Sequence, residues 1–391
     1  MPRIHWIGAG LSSGPGIRRL VQCGHDLLLW NRTLTKGNQI LHGLESSAAT
    51  RTLDWKALSD SISPGDVVVS MLPATMHAQV ADLCLDRRAH LVMTSYRSPE
   101  ILERSATALG SRLCIVTEVG LDPGIDHLMA HALVDAYQKS ELFDKENTHY
   151  FRSYCGGFPK VANDFKYKFS WSPLAVLRAL KSPARWIAGG KMQQTDKVWE
   201  SLTEYEALLP SGRESFQAYP NRDSTPYLVE YGFSDNWNVQ EFIRGTLRLK
   251  GWSEAWKDIL TQVDTARGDE GERMLEQISE KLWADYQYNA EEPDRVALCV
   301  ELEARKNSET VWRQVYSLDE VGNERGTAMA RLVSWTCSIA VESVLKNEIM
   351  PGVTAAPREL NRINDWMNQL RSLDVRIEHQ EILPAPGKSN S

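Results

Sequence analysis

The sequence predicts an α/β protein: a doubly wound parallel sheet in the first third, followed by a second domain of mixed α+β character. Three observations carry this. A Gly-rich turn, Gly8-Ala9-Gly10-Leu11-Ser12-Ser13-Gly14, follows a short apolar run and precedes a helical pattern. Apolar runs then alternate with segments of helical periodicity up to residue 121. Beyond it the runs lengthen and alternate apolar with polar, and two of them read as a hairpin.

Taken in order, residues 3–7 form the first strand and residues 15–23 a helix, with Gly24 at its C-terminal cap. Leu27-Leu28-Leu29-Trp30 is a second strand, and residues 67–72, 91–94 and 113–117 are three more. Helices are expected over 75–86 and 99–109. Strands this uniformly apolar are buried on both faces, which is the condition of a parallel sheet covered by helices. Ligands of such sheets bind beyond the carboxyl ends of the strands. The segments there are Gly8 to Gly14, Asn31-Arg32-Thr33, Pro73-Ala74-Thr75, Thr94-Ser95-Tyr96 and Glu118 to Asp122, with Leu72, Pro73, Ser95, Leu121, Asp122 and Pro123 expected on the cofactor.

The first of these segments has the chemistry of a dinucleotide site. Gly8 permits the tight turn out of the strand. Gly10 lets a pyrophosphate approach the backbone, and the N–H groups of the following helix face the anion. Position 13, where a third glycine is usual, is Ser13, and Gly14 comes one residue late. At the second strand end, NAD enzymes carry an acid about 20 residues after the first glycine to hold the ribose hydroxyl. Here Asn31-Arg32-Thr33 contains no acid. Arg32 can pair with a 2′-phosphate, with Asn31 and Thr33 as further donors, so NADP is favoured and NAD remains possible.

Composition excludes several classes. A net charge of −7 over 391 residues argues against nucleic-acid binding, which needs clustered positive charge. No apolar run approaches a membrane span, and no basic-then-apolar leader opens the chain. Six cysteines (Cys23, Cys84, Cys114, Cys155, Cys299, Cys337) lack C-x-x-C spacing, so neither a metal site nor a disulfide framework is signalled and a cytoplasmic setting is expected.

In Leu121-Asp122-Pro123-Gly124-Ile125-Asp126-His127 the sheet ends and a long helix starts, with Pro123 in its first turn. Asp126 reads equally well as a helix-end acid, and His127 as a satisfied helix-interior histidine. Next come Ser153-Tyr154-Cys155-Gly156-Gly157, Tyr219-Pro220-Asn221-Arg222-Asp223-Ser224 and Arg244-Gly245-Thr246-Leu247-Arg248. Together with Met71-Leu72-Pro73, Thr94-Ser95-Tyr96-Arg97-Ser98-Pro99 and Ala328-Met329-Ala330-Arg331, these runs resemble, in order and spacing over nearly the whole chain, the saccharopine reductase family. This is the glutamate-forming saccharopine dehydrogenase family of the aminoadipate route of lysine metabolism.

The resemblance implies a reaction. Glutamate and 2-aminoadipate 6-semialdehyde condense to an imine, and a nicotinamide hydride reduces it to saccharopine; the reverse is oxidation followed by hydrolysis. It implies a dinucleotide domain over 1–121 and a substrate-binding and dimerisation domain over 122–350. A segment over 351–391 is expected to pack back on the first domain. Residues 258–292 match poorly and are expected as a reduced helical insert. The family itself replaces the third glycine and then has proline, as Pro15 stands here. Carboxylates call for arginine forks, and Arg222 and Arg244 stand in the matching motifs. Ser95, Tyr96, Asp122, Cys155, Gly156 and Thr246 are expected on the substrate, with Tyr96, Asp122 and Cys155 as candidates for proton handling. The substrate is expected between the second sheet and the first domain, in a homodimer.

Within the second domain, 150–154, 166–169, 216–219 and 245–250 read as strands beside a hairpin over 296–304 and 310–318. Residues 327–346 and 361–370 read as helices, the former with Met329, Leu332, Val333 and Thr336 on one face, and residues 385–391 as a loose tail. Two rival readings are kept: an imine reductase acting on another carboxylated amine such as a carboxy-polyamine, and a non-catalytic NADP-binding protein.

Overall fold

The computed structural model describes residues 2–234, 236–289 and 291–382, so the expected loose tail at 385–391 lies outside the described residues. The chain divides into two compact units, Met1–Leu128 with Glu324–Leu373, and Met129–Asn323 with Asp374–Ser391.

The first unit is built on a seven-stranded sheet, β15-β6-β5-β4-β1-β2-β3. Its strands are β1 (Ile4–Ile7), β2 (Leu27–Asn31), β3 (Ala49–Thr52), β4 (Val67–Ser70), β5 (His90–Met93), β6 (Cys114–Val116) and β15 (Gly352–Thr354). Every pairing is parallel, with Ile4 opposite Leu27 on one side and Val67 on the other. Strands β1 and β4 are buried along their whole length, as their apolar sequences require. The expected helix over 99–109 is two short helices, Pro99–Leu102 and Ser105–Gly110.

Helix Gly14–Gln22 packs on helix Ala328–Leu345, and the contact turns on a missing side chain. A Cβ on Gly16 would meet the Ser334 carbonyl oxygen at 2.3 Å. The Gly16 N–H instead donates to Ser334 Oγ at 2.8 Å, and Arg19 pairs with Glu342 at 2.7 Å. Two expectations change here. Helix Ala328–Leu345, expected within the second domain, belongs to the first unit. Of the face read from the sequence, Leu332 and Thr336 are buried and Met329 and Val333 half-buried, while Ser334, Ser338 and Glu342, off that face, are buried as well. Hydroxyls make this possible by bonding back to their own helix, Ser334 Oγ to the Ala330 carbonyl at 2.6 Å and Thr336 Oγ1 to the Leu332 carbonyl at 2.7 Å. By length and composition this helix could cross a membrane, contrary to the expectation that no apolar run approaches a span, but 83% of it is buried inside the structure as a core helix.

The second unit carries a nine-stranded mixed sheet. Its strands are β7 (Thr148–Pro159), β8 (Ala184–Ala188), β9 (Lys191–Thr195), β10 (Thr203–Leu209), β11 (Gly212–Pro220), β12 (Asn238–Arg248), β13 (Asp294–Lys306), β14 (Glu309–Val321) and β16 (Glu378–Glu381). The central strand β7 runs parallel to β12 and antiparallel to β13. The expected hairpin is β13–β14, longer than its apolar core because Asn307 and Ser308, both at positive φ, close it in two residues. Residues 166–169 form no strand; Phe169 makes a single isolated bridge to Gln287. The region 258–292 holds two real helices, Lys257–Thr265 and Gly268–Tyr286, on an aromatic cluster containing Tyr167, Tyr219, Trp252 and Trp256. The C-terminal segment, expected to pack wholly on the first domain, is divided. Strand β15 and helix Leu360–Ser372 belong to the first unit, whereas β16 extends the second sheet beside β14.

Candidate functional site

Because every strand of the first sheet is parallel, all of its carboxyl ends share one edge, and the residues expected from the sequence to face a nucleotide cluster there. Gly8 has φ +104, and its N–H donates to the Trp30 carbonyl at 2.8 Å. A Cβ there would meet the Met71 carbonyl oxygen at 3.2 Å. Gly10 differs: it is exposed, with nothing within 4 Å of where a Cβ would stand. Leu11 and Ser12 continue the turn, the former exposed and the latter half-buried. Ser13 caps helix Gly14–Gln22 without a side-chain bond. Its hydroxyl is buried and lacks a hydrogen-bond partner, and its N–H donates to the Gly10 carbonyl at 3.2 Å, so Ser13 closes the turn.

Asn31 proves to shape this edge. Its Oδ1 accepts from Ala9 N at 3.0 Å and its Nδ2 donates to the Thr33 carbonyl at 2.8 Å, tying the Gly-rich turn to the loop that follows β2. The carboxamide expected on a 2′-phosphate is thus used to brace the two loops. Arg32 and Thr33 beside it are exposed. Leu72 is half-buried and its carbonyl accepts from His77 Nε2 at 3.0 Å; Pro73 is exposed.

The run after β6 is a compact turn. The helix starts at Ile125, so Pro123 lies before its first turn rather than within it. Gly120 N–H donates to the Pro123 carbonyl at 2.8 Å, and Gly124, at φ +149, lies where a Cβ would meet the Gly120 carbonyl oxygen at 2.1 Å. Leu121 and Pro123 are buried, and half-buried Asp122 between them presents its carboxylate. Tyr96 donates its hydroxyl to Asp122 Oδ1 at 3.0 Å, bringing together two residues singled out separately in the sequence.

The sequence reading missed what holds this pair. Glu118, at φ +58 and only 2% exposed, receives the Arg97 N–H on Oε1 at 3.0 Å and faces His127 Nε2 at 3.3 Å. Its own N–H donates to the Ser95 carbonyl at 3.1 Å. Burial resists ionisation of Glu118, but the His127 bond and charge and the Arg97 N–H prevail and hold its carboxyl at about 2. Glu118 thereby fixes half-buried Ser95 and Tyr96 against the start of the long helix. Asp126 accepts the Gly124 N–H at 2.7 Å, the helix-end role open to it in the sequence.

In the second unit, the candidate residues Cys155, Arg244 and Thr246 share one face of the sheet. Arg244, Thr246 and Arg248 alternate along β12 and therefore point the same way. Thr246 registers with Cys155 on β7 and with Tyr219 on β11. Gly156 and Gly245 serve the opposite face. A Cβ on Gly156 would meet the Leu247 carbonyl oxygen at 2.5 Å, and one on Gly245 would meet the Tyr154 ring at 2.3 Å. Gly156 therefore allows close strand packing, and its expected place on the substrate reduces to its backbone. Cys155 is 8% exposed and Thr246 half-buried.

Arg222 is exposed, in left-handed backbone at φ +58, directly after β11. Its loop is firmly anchored. Arg185 N–H donates to the Arg222 carbonyl at 3.0 Å, and Asp223 Oδ1 accepts from Thr225 N and Oγ1 at 2.9 and 2.6 Å. Arg244 is 1% exposed with its guanidinium 4.1 Å from the Tyr227 ring centroid. The Arg244 N–H donates to Ser224 Oγ at 3.0 Å and its carbonyl accepts from Asn221 N at 2.8 Å. Arg244 clamps the Arg222 loop instead of standing beside it.

An all-parallel sheet, a glycine turn open to an anion and an exposed arginine after the second strand define a dinucleotide-binding protein of Rossmann type, joined to a second unit with a polar sheet face. Residues 4–114 match the saccharopine dehydrogenase NADP binding domain and residues 120–373 the saccharopine dehydrogenase C-terminal domain. The chain belongs to the saccharopine dehydrogenase family. It is 27% identical to the saccharopine dehydrogenase [NADP(+), L-glutamate-forming] of Schizosaccharomyces pombe over 98% of this chain and 99% of that one. With the protein of that name from Pyricularia oryzae it shares 28% over 97% and 98% of the two chains. Among solved structures, it resembles apo saccharopine dehydrogenase (L-Glu forming) from Saccharomyces cerevisiae in fold, with a TM-score of 0.77, 24% identity and coverage of 98% and 100%.

Proposed function

We propose that this protein is an NADP-dependent oxidoreductase that interconverts saccharopine with L-glutamate and 2-aminoadipate 6-semialdehyde in lysine metabolism. The observation that carries the reading is the Tyr96–Asp122 pair, standing where the parallel sheet presents its ligands in a chain whose near-full-length relatives are named for this reaction.

The residues present fit the cofactor: Gly10 leaves open space above its Cα, and Arg32 is exposed where a 2′-phosphate would sit. NADP held there would supply the hydride acceptor for the carbon beside saccharopine's secondary amine, and NADPH the donor in the reverse direction. The open turn at Gly10, Leu11 and Ser12, ahead of helix Gly14–Gln22, would hold the pyrophosphate, and Arg32 would select the phosphorylated ribose. Arg222 takes a substrate carboxylate through a planar fork, its loop held in place by Asp223 and the Arg244 backbone. Oxidation leaves an imine, and hydrolysis requires a water to lose a proton and the leaving nitrogen to gain one. Asp122 takes the water's proton; the Tyr96 hydrogen bond sets the orientation of its carboxylate. Cys155 and Thr246 form the wall of the sheet face. The six cysteines, all free thiols, accord with a reducing cytoplasmic setting, and a homodimer is the assembly this reading expects.

Steady-state assay of reduced nicotinamide, in both directions and with both cofactors, tests the reading. Saccharopine with NADP should turn over, and NAD should serve poorly. Turnover of carboxylated polyamines in place of saccharopine, or NADP binding without turnover of any imine substrate, would overturn it.

A further inference from the structure

We propose that Arg248, with Trp252, is a third anion anchor, which takes one of saccharopine's three carboxylates and sets the preference for a tricarboxylate amine over analogues with one acid fewer. The proposal rests on the substrate reading above.

The starting point is an unbalanced charge. Arg248 is 6% exposed, and no carboxylate among the described residues lies within ion-pair distance of it. Other arginines of the same sheet are paired. Arg152 meets Glu241 and Glu301, Arg295 meets Asp319 and Glu214, Arg305 meets Glu303, and Arg313 meets Glu301. Arg248 Nη1 donates to the Leu247 carbonyl at 3.2 Å, while its Nε is buried with no hydrogen-bond partner. Burying a guanidinium without a counter-charge is unfavourable. Three aromatic rings offset part of this: the guanidinium carbon lies 5.0 Å from the Tyr167 centroid, 5.3 Å from Tyr219 and 5.4 Å from Trp252. The ring faces supply no acceptor for the Arg248 Nε–H, although the Tyr219 hydroxyl lies beside the guanidinium.

A second buried donor stands in the same box. Trp252 Nε1 has no partner either, and Trp252 is fully buried. Two N–H groups without acceptors, beside an uncompensated positive charge, ask for an anion with two oxygens, and a carboxylate has that form. The box lies on the substrate face. Arg248 is two residues beyond Thr246 on β12, and Tyr219, opposite Thr246, has both Thr246 and Arg248 at its hydroxyl. Saccharopine offers three carboxylates, and Arg222 accounts for one of them.

The test uses full-length protein, saccharopine and its three monoamides, each with one carboxylate neutralised. Wild type should lose about 30-fold in kcat/KM on one particular monoamide through Arg248. Arg248→Met should lose about as much on saccharopine itself and discriminate less than threefold against that monoamide, with its NADP affinity and thermal midpoint near wild type. Undiminished discrimination against all three monoamides overturns the assignment, and so does equal loss on every substrate. If Arg248→Met does not fold, Arg248→Lys decides: a tenfold rise in KM for saccharopine, absent for the discriminating monoamide, supports the anchor, and parallel rises overturn it. A wild type inert toward saccharopine would instead overturn the substrate reading, a distinct outcome.

Discussion

The two units build binding surfaces by opposite means. The first presents backbone and small residues at the ends of parallel strands, each loop a few residues from the strand that aims it. The second presents side chains on the face of a mixed sheet, where neighbours such as Cys155, Tyr219 and Thr246 come from three strands far apart in sequence. In the first unit glycines do much of the work and in the second arginines do. A local motif can therefore announce the first kind of site, whereas the second exists only once register is set.

The comparison is broken most forcefully at the glycines of the first unit, which fall into two kinds. Leucine at Gly16 would drive a side chain into the Ser334 backbone, whose carbonyl oxygen lies only 2.3 Å from where the Cβ would stand, with no flexible neighbour to yield. Gly16→Leu should lose at least ~4 kcal/mol or fail to fold, read by thermal or urea unfolding. Gly10→Ala should unfold like wild type, because nothing lies within 4 Å, yet weaken NADP about tenfold in a fluorescence titration. If both variants lost stability equally, the division between packing and ligand-facing glycines would be wrong.

The next largest effect sharpens the role of the exposed arginines. Arg32→Asp should lower kcat/KM with NADP by about 100-fold and alter that with NAD no more than threefold, since a charge-assisted bond is worth ~1.5–3 kcal/mol. Equal losses with both cofactors would remove the 2′-phosphate role. Arg222→Ala should raise KM for saccharopine about 30-fold and leave NADP affinity within a factor of two, separating the two surfaces kinetically.

How much of this was legible before folding follows the same division. The strands β1, β2, β4, β5 and β6 could be read because each is a short, predominantly apolar run bounded by turn residues. Strand β3, Ala49–Thr52, could not, because it is an edge strand of mixed composition that is mostly exposed. The helix Ala328–Leu345 was visible, but not its burial on every side, which depends on serine hydroxyls bonding back to their own carbonyls and on Gly16 in a segment more than 300 residues away. Tyr96 and Asp122 were each suspected, yet their mutual bond depends on where two loops end. Arg222 was the stronger carboxylate candidate in the sequence and Arg244 the weaker; the strand and turn geometry leaves the first exposed and buries the second.

Glu118 marks the boundary between what is local and what is not. Nothing in Thr117-Glu118-Val119 announces it, yet it ties the Ser95–Arg97 loop to His127. Its carboxyl lies at about 2 in the folded chain against an ordinary value of 4.5, so folding depresses it. A depressed acid contributes stability that is fully present above 4.5 and is lost as pH falls toward 2. Within that window the wild type should lose ~1.4 kcal/mol per pH unit more than Glu118→Gln, which carries no proton to bind. At neutral pH the glutamine variant should be less stable, because His127 then faces an amide in place of a carboxylate. Urea unfolding of both proteins at several pH values between 3 and 7 reads the difference directly. Parallel pH profiles would mean that Glu118 is already protonated in the native state and that its charge does not hold the Tyr96 loop.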